Sequence, residues 1–106
     1  MIRSALVAAI TLMPLATGPA AQESDYAAVK CSRYRQAWAD LTARRGVAGL
    51  SPAFIERHDA FLASGCTGVH DVCPRAPAEL DVANALVMMA MNAGMASTFP
   101  PFGCPK

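Results

Sequence analysis

Residues 85–95 read Ala-Leu-Val-Met-Met-Ala-Met-Asn-Ala-Gly-Met, with four methionines in eleven positions. The reading of this stretch decides the fold: a membrane span, a thioether ladder, or the centre of a small domain. Its unbroken apolar part, Ala85 to Met91, is far shorter than the roughly 20 residues a spanning helix needs. Extending it would carry Asp81, Asn84 and Asn92 into hydrocarbon, where such groups are costly. The stretch therefore predicts a helix that is apolar on most of its circumference, central in its own domain or covered by a partner.

Working outward, Pro77 suits the first helical position and Glu79 faces the positive end of the helix dipole. Ala76 has no side chain with which to cap that end, which predicts a weak start. Pro100-Pro101 forbids continuation, so this third helix is expected over about Pro77 to Ser97, followed by an extended tail from Thr98 to Lys106. Upstream, Ala27, Cys31, Tyr34, Trp38 and Leu41 recur every three or four residues and predict an amphipathic helix from about Ser24 to Arg45. Gly46 to Gly49 supplies a turn. A second helix is expected from the cap Ser51 and Pro52 to a left-handed Gly65, with Phe54, His58, Phe61 and Leu62 facing inward. Strand signals are nearly absent. The expected fold is all-α: a helical hairpin plus a third, central apolar helix.

The other end of the chain has a different character. Arg3 precedes a short apolar run, Ala5 to Met13, which Pro14 breaks before the small residues Gly18 to Ala20. That is the layout of a cleaved secretory signal peptide over residues 1–20, leaving 21–106 as one small domain in the periplasm or outside the cell. The run before Pro14 is too short for an uncleaved anchor. Cleavage removes one of nine basic residues and leaves eight acidic ones, so charge is balanced and nucleic acid is not an expected partner. Arg33, Arg35, Arg44 and Arg45 form the one basic cluster, read as a solvated helix face.

Cys31, Cys66, Cys73 and Cys104 all lie beyond the leader, and four cysteines in a short exported chain read as two disulfides. No Cys-x-x-Cys pair is present, which argues against a zinc site, covalent haem and a thioredoxin-type centre. In an antiparallel hairpin, residues at equal height are centred on the turn, and the midpoint of Cys31 and Cys66 falls within Gly46–Gly49. This favours Cys31–Cys66 with Cys73–Cys104, the latter a taut closure because a helix of about 21 residues is about 30 Å long. The rival is Cys66–Cys73 across the short loop with Cys31–Cys104.

For function the residues exclude more than they specify. No nucleophile, base and orienting group can be assembled, and no cofactor is implied, so an enzyme is not expected. His58 reads as a hydrogen-bonded histidine at the edge of the core and His70 as an exposed loop residue. Met88 and Met95 share a stripe with Asp81, Asn84 and Asn92, which predicts an interaction surface covered by Phe99 and Phe102 of the tail, by a protein partner or by a second copy through the third helix. The alternative is Cu(I) binding by Met88, Met91 and Met95, three soft thioethers at helical spacing. No metal is the primary expectation, because a methionine stripe at that spacing is usually packing.

Overall fold

The computed structural model describes residues 11–12 and 19–106, with side chains described from Asp25 onward and at Thr11 and Leu12. Of the leader expected over 1–20, all but Thr11, Leu12, Pro19 and Ala20 lies outside the described residues. The domain is all-α as expected: α1 (Pro19–Arg45), α2 (Pro52–Ala63) and α3 (Pro77–Asn92). No helix among the described residues is long and apolar enough to cross a membrane.

Each boundary has a local cause. α1 begins before the expected Ser24 and ends where Gly46, at φ 71°, donates its N–H to the Thr42 carbonyl at 2.8 Å. The Ser51 hydroxyl caps α2 by accepting from the Phe54 amide at 3.2 Å, as its sequence predicts. At the other end Gly65 takes φ 73°, and the Gly65 and Cys66 amides reach back to the Leu62 and Phe61 carbonyls. This paired pattern is the glycine-terminated Schellman stop.

α3 ends by the same device, at Asn92 rather than Ser97. Gly94 adopts φ 86°, its amide donates to the Met91 carbonyl, and the Met95 amide donates to the Ala90 carbonyl at 2.9 Å. The glycine stops the helix well before the prolines can. At 16 residues the helix is about 24 Å long, which relaxes the closure that a longer helix makes taut.

The disulfides are Cys31–Cys66 and Cys73–Cys104, with Cα separations of 5.5 Å and 4.5 Å. The first ties α1 level with the end of α2; the second ties the tail to the loop before α3. That loop and the tail also pair through their backbones. Val72 donates to the Pro101 carbonyl at 3.0 Å, and Gly103 donates back to the Val72 carbonyl at 3.1 Å. Gly103 is required there, since a Cβ would sit 2.4 Å from the His70 carbonyl oxygen.

The core is one cluster in which Tyr34 and Leu41 of α1, Phe54 and Phe61 of α2, and Val82 and Leu86 of α3 meet, with Val72 and Met95 from the connections. The tail completes it from the α1–α2 side. Phe99 sets its ring edge against Tyr34 at 5.7 Å and Phe61 at 6.3 Å, and Phe102 stacks on Phe54 at 6.0 Å.

Candidate functional site

Two buried ionisable side chains stand out, and each does more than its sequence context suggests: His58 faces inward and is hydrogen-bonded as expected, and Glu79 lies in the first turn of α3 as expected. His58, on the inner face of α2, is fully buried rather than at the core edge. Trp38 lies 4.1 Å from its ring, Phe54 and Phe102 are nearly parallel to it at 6.5 Å and 6.1 Å, and Tyr34 is at 5.5 Å. Its Nε2 shares a 2.7 Å hydrogen bond with the Tyr34 hydroxyl, while Nδ1 has no partner. Removal from water disfavours the imidazolium and pushes the His58 pKa down to about 4. The same burial holds the Tyr34 phenol protonated well above its ordinary range.

Glu79 is the second. It occupies the third position of α3, and its carboxylate turns back to accept from the Arg75 and Ala76 amides at 3.0 Å each. Its other oxygen accepts from the Ser51 amide at 2.9 Å and the Ser51 hydroxyl at 2.8 Å. The start of α3, expected to be weak for want of a capping side chain at Ala76, is thus held by Glu79 and fastened to the start of α2. The Ala76 amide is the main influence that lowers the Glu79 pKa; burial opposes it, and Ser51 and Arg75 add to the lowering, leaving a value of about 2.

The basic cluster is also more than a solvated face. Arg33 donates to the Ala93 carbonyl at 3.2 Å and Arg35 donates to the Leu62 carbonyl. Two arginines of α1 therefore bond to the carbonyl ends of α3 and α2, where positive charge complements the helix dipole.

The residues expected to form the interaction surface do not gather. Met95 lies past the end of α3 and is only 5% exposed, packed in the core, because Gly94 turns the chain inward before it. Phe99 and Phe102 cover the α1–α2 aromatic layer instead of Met88. Met88 remains open at 58% exposure, and its neighbours are Met91 at 49% and Leu80 at 46%. These three, with half-buried Val87 beside them, lie at helical spacing on the outer side of α3, interrupted by Asn84. Leu80 is the member that sequence reasoning missed; its offset of eight from Met88 was the available signal. The set Met88, Met91 and Met95 is likewise divided, with two thioethers facing out and one in the core.

A cleft of about 260 Å³ opens at the starts of α2 and α3, bordered by Phe54, Arg57, Asp71, Arg75 and Glu79. Arg57 and Asp71 are paired at 2.9 Å and exposed, a contact worth under about 1 kcal/mol. Among the described residues no group of three His, Cys, Asp or Glu side chains could hold a metal ion. His70 is exposed, with its ring against Phe61. Two disulfides in so small a domain point to an oxidising environment. In comparisons with protein-family models, curated proteins and solved structures, nothing matches the chain.

Proposed function

We propose that this chain is an exported, non-catalytic interaction module whose outer α3 strip, Leu80, Val87, Met88 and Met91, docks against an apolar groove of a protein partner. The observation that carries this reading is the exposure of three large apolar side chains on one helix face while the core holds Met95 and the tail aromatics. Unbranched, polarizable methionines adapt to a partner's surface, and large apolar side chains exposed together on one helix face are a mark of interaction sites. Export to the periplasm or medium is supported by the Arg3-to-Ala20 pattern and by the two disulfides. Intact mass of protein from its native host is expected to show residues 21–106, lighter by four hydrogens than the fully reduced form. Full-length protein with four titratable thiols would overturn export.

A photo-crosslinking residue in place of Met88 tests the docking. In the exported fraction it is expected to capture a different polypeptide, and Leu80→Asp with Met91→Asp is expected to abolish the adduct without unfolding the domain. An adduct with a second copy of the chain would make the strip a self-association surface. Absence of any adduct would overturn the docking reading. The same strip bears on copper: Met88→Leu with Met91→Leu is expected to compete with a Cu(I) chelator no worse than the native chain. A clear loss of Cu(I) retention in that variant would return the thioether reading.

A further inference from the structure

Either tautomer of neutral His58 leaves one ring nitrogen unsatisfied. With the proton on Nε2, the ring donates to the Tyr34 oxygen and the Nδ1 lone pair is orphaned. With the proton on Nδ1, that N–H has no acceptor and Nε2 accepts from the Tyr34 hydroxyl. A second proton from solvent makes two N–H donors, and the site offers one oxygen. The groups facing the ring are Tyr34 and Trp38 from α1, Phe54 on α2 itself and Phe102 from the tail. Of these Tyr34 alone titrates, and it stays neutral in acid. α3 brings Val82, Leu86 and Ala90 to the core; its one buried carboxylate, Glu79, is engaged by Ser51, Arg75 and Ala76. The ring faces of Trp38, Phe54 and Phe102 attract a cation only weakly, no anion within the box balances a positive charge, and a buried charge without a counter-ion is far costlier than the orphaned nitrogen.

We propose that His58 is an acid latch: one added proton, for which the aromatic box holds neither counter-charge nor second acceptor, parts α1 from α2 and unseats Phe102, while both disulfides keep the chain tethered. The position of the ring makes this a device for the whole fold. His58 is where α1, α2 and the tail meet, so its ejection to water breaks three contacts at once. The tether matters equally. Cys31–Cys66 keeps the hairpin in register and Cys73–Cys104 keeps the tail near its seat, so the opening is reversible. The opened form displays Tyr34, Phe54, Phe61 and Phe102, an apolar surface distinct from the α3 strip.

The folded and free histidine values set the window. A group whose folded pKa is lowered contributes full stability above its free value of 6.5, and that contribution is lost as pH falls toward about 4. Trp38 is the chain's single tryptophan and lies beside His58, so its fluorescence reports the event directly. Oxidised protein spanning residues 21–106 is titrated from pH 8 to pH 3, following Trp38 emission, hydrophobic-dye binding and the His58 ring protons by NMR. Dye binding and a Trp38 change are expected together between pH 6.5 and 4, reversed on return to neutrality. The Tyr34→Phe, His58→Leu variant, which removes both polar atoms, is expected to open at a pH lower by about one unit or more. An unchanged opening pH in that variant would overturn the latch. Should the variant fail to fold, the native ring decides: a His58 resonance that titrates near 6.5 within the closed form overturns the proposal, and one that stays neutral until the domain opens supports it.

Discussion

Reduction and alkylation of both disulfides is expected to unfold the domain at 25 °C. Cys31–Cys66 and Cys73–Cys104 close loops with sequence separations of 35 and 31. Releasing either restores roughly 4 kcal/mol of freedom to the unfolded chain in the chain-entropy view. Small domains have total stabilities of about 5–15 kcal/mol, with the shortest chains at the low end, so losing both exceeds or equals the whole margin. The two bridges are not redundant. Cys31–Cys66 fixes the hairpin, and Arg35 bonding to the Leu62 carbonyl reinforces it one turn nearer the Gly46–Gly49 turn. Cys73–Cys104 fixes the tail, whose Phe99 and Phe102 finish the aromatic layer around Tyr34 and His58. Far-UV circular dichroism and urea titration of the alkylated protein check this. A cooperative transition retained with less than about 1 kcal/mol lost would show that the helices' own packing suffices. The Cys73→Ser, Cys104→Ser variant should keep its helices yet bind hydrophobic dye at neutral pH, because it loosens only the tail.

That division between hairpin and tail was partly legible in the sequence. The Ala27-to-Leu41 periodicity, Ser51-Pro52 and Gly65 are local signals, and local signals place helices. The level-height argument then selects Cys31–Cys66, because equal height in a hairpin follows from chain length alone. The end of α3 was legible too, in Gly94, but the expected end rested on Pro100-Pro101, which lie beyond it. Once the helix stops at Asn92, Met95 belongs to the core and the expected stripe dissolves. The inward, hydrogen-bonded His58 and the first-turn Glu79 were legible, but their full surroundings were not, and for one reason: each owes its environment to other segments. His58 needs Trp38 and Phe102 to enclose it, and no spacing within α2 announces that. Glu79 reads as an ordinary first-turn acid favoured by the dipole; its second role depends on Ser51 arriving from the neighbouring helix.

Glu79→Ala is expected to cost on the order of 3 kcal/mol, a large effect for a change that removes no apolar side chain of the core. One carboxylate accepts four hydrogen bonds, three from backbone amides and one from a hydroxyl. Hydrogen bonds to a charged group contribute about 1.5–3 kcal/mol each, and part of that is recovered because the freed Ser51 and Arg75 groups lie close to water. Glu79→Gln preserves the shape but turns an amide NH2 toward donors, so at least one of the two pairs of contacts must break. It should cost less than alanine and more than an exposed substitution. The pH dependence separates this from simple packing. The carboxyl is lowered from 4.5 to about 2, so its contribution is complete above pH 4.5 and is lost as pH falls through the folded value. The Glu79 contribution should therefore fade between pH 4.5 and 2, an interval that meets the His58 range only from pH 4.5 to 4, and the Glu79→Gln curve should be flatter across it. Urea midpoints at pH 7, 4.5 and 3, with Glu79, Glu79→Ala and Glu79→Gln compared in the Tyr34→Phe, His58→Leu background so that the His58 opening does not intervene, give the comparison. If Glu79→Gln fell away as steeply as Glu79 in that background from pH 4.5 to 3, the carboxylate would not be what fastens α2 to α3.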